Sequence, residues 1–390
     1  MFSYIKLLDQ VHLSALDQNP AANFYKNTTR KTLEITLSKI TNCNIIDLLK
    51  MLAFFTDSGM DLKWIKYCIE NPEILSRFED ADVPVFLKRE LSAIEFYNLI
   101  DPLEKYSIVS HRNAGQYYAK YEQFRHIRTI VTHSLIRELL LEEIDTDSKI
   151  LQIMLEVFYD TAVNHPFRYY DSLAYFLLIV LRNTSSGMPE DMLKKLSILA
   201  VASLYIVPYP NDAQMDSMLI KEILSRIIEV FGENDIRVTY ITALCFAKYG
   251  YELYGELVPF IESTYLSVLE KPSEYLAYAE EVSRTFPPST MEFCKIEDLC
   301  ECMYLSMAFF VCHKDKERIE QYRVLFSKIC DIYMPLADGQ EDKKYLKLTK
   351  TAMDALSPKY YAGYIAEVFP WHIAKLELDE IDWIKELTEF

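Results

Sequence analysis

Glycine is scarce: the chain has eight in 390 residues, about 2% where roughly 7% is usual. None of the eight is followed by Lys. The chain therefore lacks the Gly-x-x-x-x-Gly-Lys-Ser/Thr loop whose backbone amides cradle nucleotide phosphates. No Gly-x-Ser-x-Gly sequence occurs either, so an α/β-hydrolase nucleophile elbow is not indicated. Basic residues are also in deficit, 41 Lys and Arg against 58 Asp and Glu, for a net charge of -17. A phosphate backbone or an anionic lipid surface would be repelled by that balance. Long apolar runs are missing. The most apolar one, Leu173 to Leu181, is about half the ~20 residues that span a bilayer. The first ten residues include Lys6 and Asp9 and show no apolar leader ending at a small-residue cleavage site. A cytoplasmic, non-membrane protein is the expectation.

What the chain has in quantity is aromatic and aliphatic residues in helical rhythm. Tyr, Phe and Trp make up 13% of it. The eight cysteines include Cys43, Cys68, Cys245 and Cys330 and sit in apolar stretches, where a thiol behaves as a small hydrophobe. That usage fits a reducing compartment better than a disulfide framework.

Along the chain, residues 1–44 read as short helices broken at Asn19-Pro20. Ile45, Leu48, Leu49, Leu52 and Phe55 then fall on one helical face. The turn Thr56-Asp57-Ser58-Gly59 ends that helix, and a short one follows from Asp61 to Cys68. A third helix is expected from about Val85 to Leu99, continuing through Leu103. Two strands come next: Tyr106 to Ser110, and the alternating His126 to Thr132. Helices followed by a hairpin is the element order of a winged-helix domain, placed at 45–147. From 148 to 390 the pattern is helix after helix. Breaks fall at Asn183 to Gly187, Gly232, Pro272, Pro287-Pro288 and Pro335 to Gly339, among others. Stacked helical hairpins, an α-solenoid, are expected there. Met303 to Pro335 resembles a tetratricopeptide unit of ~34 residues. The predicted fold class is thus predominantly all-α, a winged-helix domain followed by an α-solenoid of tetratricopeptide-like hairpins.

Three short motifs in order carry a family resemblance. They are Thr28-Thr29-Arg30-Lys31-Thr32-Leu33 with the apolar helix ending Leu52-Ala53-Phe54-Phe55, then Leu103 to Val109, then Thr132-His133-Ser134-Leu135-Ile136-Arg137. Together they resemble the region after the nucleotide-binding core of NB-ARC-type signal-transduction ATPases (the STAND family). The last is similar to that family's Met-His-Asp motif; His133 matches, while Thr132 and Ser134 depart from Met and Asp. The resemblance implies that 1–44 is the linker after such a core and that the core itself would lie in cis before residue 1, or act in trans. It implies that His133 would reach the β-phosphate of nucleotide bound by that core. It further implies that the C-terminal repeats sense a partner.

Cys294, Cys300, Cys302, Cys312 and His313 invite a metal reading, but their spacing is not that of paired zinc knuckles, and no metal is expected. Acidic pairs such as Glu142-Glu143, Glu280-Glu281 and Glu377 with Asp379-Glu380 suit solvated helix faces better than catalysis. Tyr251, Tyr254, Tyr275 and Tyr278 lie in an aromatic-rich stretch that fits either a layered core or a recognition face, since Tyr combines contact area with a polar tip. These four are the candidate partner-binding residues. The stretch Val85 to Lys105 offers only Lys88, Arg89 and Lys105 against Glu90, Glu95, Asp101 and Glu104, while Arg112, Lys120, Arg125 and Arg128 make the wing modestly basic; a dedicated DNA reader would show a clearer basic face.

The expectation is a non-enzymatic sensor and scaffold segment of a signalling ATPase. It would hold a protein or peptide on its repeats, use no cofactor of its own, and relay occupancy through the winged helix. The alternative is a winged-helix transcription regulator with a helical ligand-sensing domain.

Overall fold

The computed structural model describes residues 30–55, 59–61, 64–65, 68–69, 71–80, 82–113, 128–142, 148–164, 170–184, 188–206, 217–286, isolated turns between 296 and 310, 316–337 and 339–355. The chain is predominantly helical and divides into two compact units, Met1–Leu199 and Ala200–Phe390.

In the first unit, α1 (Cys43–Leu52) is capped by Asn42, whose side chain accepts from the Asn44 amide. The expected apolar face is its buried face: Ile45, Leu48, Leu49 and Leu52 are all in the core, and Phe55 follows just beyond. The chain then turns at Gly59, φ +70°, into β1 (Met60–Asp61). Two short helices, α2 (Pro72–Leu75) and α3 (Val85–Lys88), precede α4 (Ala93–Lys105). The single helix expected from Val85 is therefore two. Arg89 is extended, φ -154° and ψ 155°. Ser92 then restarts the helix with a capping box, its hydroxyl accepting from the Glu95 amide while Glu95 accepts from the Ser92 amide. That exchange satisfies two of the amides a helix start leaves without partners.

α4 ends with equal definition. The Ser107 amide donates to the Glu104 carbonyl at 2.8 Å and the Ile108 amide to the Leu103 carbonyl at 2.9 Å. This is the Schellman pair of bonds, which needs a left-handed residue at its turn. Ser107 takes that conformation, φ 56°. The following strand accordingly begins at Val109 rather than Tyr106.

β2 (Val109–Asn113) and β3 (Arg128–Thr132) pair antiparallel, with Val109 opposite Thr132 and Asn113 opposite Arg128. β1 pairs with the other edge of β3, Met60 opposite Ile130. The sheet order is β1-β3-β2. As the middle strand, β3 is covered on both faces: Thr129, Ile130, Val131 and Thr132 are all buried.

The chain leaves β3 directly into α5 (Ser134–Glu142), followed by α6 (Lys149–Asn164), α7 (Tyr170–Asn183) and α8 (Glu190–Val201). An aromatic core joins α6 and α7 to the end of α1. Phe158 stacks on Phe176 with centroids 4.3 Å apart, Phe54 meets Phe176 edge-on at 5.5 Å, and Phe55 lies 5.4 Å from Phe158 and 5.2 Å from Trp64. The expected domain limit at 147/148 thus falls inside the first unit. Lys195 on α8 adds an ion-paired link, its ammonium bonded to Glu156 at 2.6 Å and to Asp191, while Glu156 also pairs with Arg77.

The second unit opens on one wide turn of helix, Ala202–Ile206, and contains α9 (Ser217–Phe231), α10 (Ile236–Glu270), α11 (Pro272–Thr285), α12 (Lys316–Tyr333) and α13 (Gln340–Ala355). Neighbours pack as hairpins: α9 on α10, α10 on α11, and α12 on α13. The ends fall at the expected Gly and Pro breaks. Gly232, φ +91°, follows α9, and Pro272 opens α11. α10 has 35 residues, about 52 Å at 1.5 Å per residue. It continues through Gly250, Gly255 and Pro259 and contacts α12 as well as its sequence neighbours.

Inside this unit Tyr265 is fully buried, its hydroxyl 2.8 Å from Ser306 Oγ and 3.1 Å from Cys302 Sγ, its ring 4.7 Å from Phe326. Burial, reinforced by Cys302, pushes its phenol far up from the ordinary value. Tyr333 donates to the Val268 carbonyl at 3.2 Å. Within the Met303 to Pro335 stretch, Met303, Met307 and Phe310 are helical, the Phe310 ring lies 4.8 Å from that of Tyr322 on α12, and the chain turns at Met334 and Pro335; α12 also packs on α13.

Candidate functional site

His133 sits at the one-residue joint between β3 and α5. Its amide donates to the Ile108 carbonyl at 3.2 Å, and its own carbonyl accepts from the Arg137 amide at 2.9 Å. The residue is therefore pinned from both sides: by the strand-entry turn after α4, and by the first turn of the helix it precedes. Its side chain is half-buried.

One turn along α5, Arg137 reaches two other elements. Its Nη1 donates to the Phe55 carbonyl at 3.3 Å. Its guanidinium also lies over the Tyr175 ring on α7, 5.0 Å from the centroid. Burial raises the Tyr175 phenol above its ordinary value, and the nearby Arg137 charge partly offsets this. At the far end of α5, Glu142 pairs with Arg30 in the helical stretch 30–37. The arrangement provides a positioned imidazole at the head of a helix whose other contacts reach α1, α7 and the segment before α1.

The tyrosine candidates divide. Tyr275 and Tyr278 are buried on α11, where Tyr240 of α10 lies 5.5 Å from the first ring and 5.3 Å from the second. Tyr275 also meets Tyr333 edge-on at 6.1 Å. These two rings line the interior of the α10–α11 hairpin. Tyr251 and Tyr254 fall on α10, but their side chains lie outside the described residues.

Cys300 and Cys302 are buried, while Cys294, Cys312 and His313 lie outside the described residues. Among the described residues no group of three or more His, Cys, Asp or Glu could hold a metal ion. Glu142 is ion-paired with Arg30, and Glu280 with Arg284. Glu143, Glu377, Asp379 and Glu380 lie outside the described residues. No described helix is long and apolar enough to cross a membrane.

The sequence reading missed Arg137 and Tyr175 as a pair. An Arg four residues after a singled-out His on a helix is a detectable signal, but its aromatic partner is far away in sequence. Also missed was the outer face of α4, where Ile94 and Tyr97 stand 75% and 57% exposed. Comparisons with family models, with curated proteins and with solved structures find nothing that matches this chain.

Proposed function

We propose that this chain is a non-enzymatic sensor and scaffold segment, with a winged-helix module in front and a helical-repeat receptor behind, of the kind that serves an NB-ARC-type signalling ATPase. The observation that carries this reading is the topology of the first unit. Helices α1 to α4 interleave with a three-stranded antiparallel sheet in the order β1-β3-β2, and the middle strand hands the chain through His133 straight into α5. That supports a winged helix with His133 at its exit, where the motif resemblance puts a nucleotide-facing imidazole. Any nucleotide would be held by a core in cis or in trans, since this chain has no phosphate loop of its own.

In this reading the second unit holds a protein or peptide on its paired helices, and occupancy is relayed to the His133 joint. The relay element is α5. A displacement of His133 moves the same rigid helix that carries Arg137, and Arg137 is tied to the end of α1 and to α7.

The test uses the full chain. Titration calorimetry with ATP and ADP is expected to give no heat of binding. Screening an immobilised array of Lys/Arg-containing peptides is expected to return binders that protect amides of 217–355 from hydrogen exchange. Micromolar nucleotide binding by this chain alone would sink the proposal. So would a salt-sensitive gel shift with duplex DNA, which is the signature of the transcription-regulator alternative.

A further inference from the structure

α4 separates cleanly into two faces. Phe96, Leu99, Ile100 and Leu103 are buried; Ile94, Tyr97, Asn98, Asp101 and Lys105 are exposed at three- and four-residue spacing. Single exposed apolar residues are ordinary on a protein surface. Two large ones a turn apart on the same helix are a different matter, because Ile and Tyr are poorer helix formers than Lys, Glu or Gln and here leave most of their surface in water. The helix is held rigidly from both ends, by the Ser92–Glu95 capping box and by the Ser107 turn.

The charges around the pair have a sign. The cations next to it are already matched, Lys88 by Asp80 and Arg89 by Glu95. In the last turn of α4, Glu104 has the His111 Nε2 of β2 at 2.9 Å. Among the described residues, the carboxylates of Glu90 and Asp101 have no ion-pair partner. Lys105 is one turn past Asp101, at the edge of the face. Phosphates laid along this helix would meet Asp101 and Glu90, while Lys88 and Arg89 already share their charge with Asp80 and Glu95. A second copy docked face to face would set Glu90 and Asp101 near their own counterparts, in a chain that already carries -17.

We propose that the outer face of α4 docks a protein segment that inserts aliphatic side chains against Ile94 and Tyr97 and offers Lys or Arg to Asp101 and Glu90. A complementary charge of this kind steers encounter and fixes register more than it adds affinity, while the apolar pair supplies the buried anchor. The proposal rests on α4 and the turn before it, and stands whether or not the second unit holds a peptide.

The test is fluorescence anisotropy with the full chain and a labelled amphipathic Leu/Lys helical peptide, with a Leu/Glu peptide and a DNA duplex in parallel. The wild type should bind the Leu/Lys peptide, and Ile94→Asp and Asp101→Lys should each weaken it about tenfold or more. Melting should be unchanged, since both positions face solvent. Glu229→Lys, which makes the same charge change on α9, should bind as wild type, and the Leu/Glu peptide and the duplex should not bind. Three results would overturn the proposal. The first is unaltered Leu/Lys binding in Ile94→Asp and Asp101→Lys, or an equal loss in Glu229→Lys, which would reduce the attraction to net charge. The second is duplex binding that Lys105→Ala abolishes. The third is self-association that Ile94→Asp abolishes, which assigns the face to a second copy. Loss of peptide protection at 217–355 with α4 binding intact would instead count against the receptor reading alone.

Discussion

The Arg137 guanidinium lies 5.0 Å from the centroid of the Tyr175 ring, joining the helix after the sheet to a helix that begins nearly forty residues later. The same side chain donates to the Phe55 carbonyl at the end of α1. A charged donor to a half-buried carbonyl is worth about 1.5–3 kcal/mol, and a partly desolvated cation–π contact about 0.5–2 kcal/mol. Arg137→Ala is therefore expected to cost about 2–4 kcal/mol in urea denaturation. Tyr175→Phe keeps the ring face and should cost much less than Tyr175→Leu. Equal losses in those two variants would mean that the ring contributes only packing.

Ser107 occupies a left-handed turn position, φ 56°, that in most helix ends of this type belongs to Gly. A residue with a Cβ pays about 1–2 kcal/mol there, and Gly recovers part of it after its own larger unfolded-state entropy is subtracted. Ser107→Gly is expected to raise stability by up to about 1 kcal/mol without changing the urea m-value. Ser107→Val should lower it, since a β-branched residue is stiffer in the wrong well. A melting temperature that falls on Ser107→Gly would show that the hydroxyl matters more than the backbone.

The Glu95 carboxyl is held down to about 2, chiefly by its bond to Arg89 and then by Ser92. A carboxylate lowered in the folded state stabilises the fold above its ordinary value of 4.5. That contribution drains away as pH falls from 4.5 through 2. The wild type should accordingly lose melting temperature relative to Glu95→Gln across this window, the two curves converging near its lower end. Parallel curves throughout would place the stabilisation elsewhere. Because Ser92 holds the other half of the cap, Ser92→Ala should cost about 1 kcal/mol at neutral pH.

Gly59 turns the chain from α1 into β1 with φ +70°, and a Cβ built on it would stand 2.6 Å from the Ile130 carbonyl oxygen and 2.8 Å from Val131 Cγ2. Both atoms belong to the middle strand, which cannot retreat without breaking its pairing with β2. Gly59→Ala is expected to destabilise by at least about 2 kcal/mol, the left-handed penalty and the clash acting together. Gly232, with nothing within 4 Å of its added Cβ, should pay only the backbone part on Gly232→Ala. Comparable losses at the two sites would remove the clash from the account.

These positions also mark where the sequence was readable. The buried face of α1 follows directly from the spacing of Ile45, Leu48, Leu49 and Leu52, because a 3.6-residue rhythm needs no knowledge of the partner. Gly232 and Pro272 end and begin helices by their own backbone chemistry, so those limits were legible as well. β1 was not, since two residues carry no periodicity and their pairing with Ile130 and Thr129 is a long-range event. The split between α3 and α4 was hidden because the apolar rhythm resumes at Ile94 and Phe96 after only a short charged stretch, Lys88 to Glu90, which also suits a solvated helix face; the signal was Ser92 followed three residues later by Glu95. Pro259 and two glycines failed to break α10, where packing against α9, α11 and α12 overrides local preference. For the candidate site, the place of His133 at a strand–helix joint was legible. The interior position of Tyr275 and Tyr278 was not, because one spacing serves both a layered core and a recognition face.

The aromatic core of the first unit sets the smallest piece that can fold. Phe54 and Phe55 follow directly after α1, and their rings are buried against Phe176 of α7 and Phe158 of α6. A fragment 1–147 removes both partners while keeping every strand and helix through α5, so it should expose two phenylalanines that the intact unit buries. Truncating a single buried Phe costs about 3–5 kcal/mol, a large share of a small domain's total stability. Fragment 1–147 is therefore expected to bind a hydrophobic dye and to unfold without a cooperative urea transition. Fragment 1–199, which retains α6, α7 and the Lys195–Glu156 link, should give a single sharp one. Within 1–199, Phe158→Ala should reproduce much of the defect of the shorter piece, since it stacks on Phe176 at 4.3 Å and touches Phe55. If 1–147 melts cooperatively at the same urea concentration as 1–199, the sheet-bearing module closes its core without α6 and α7, and these aromatic contacts are an interface between two independently folded parts.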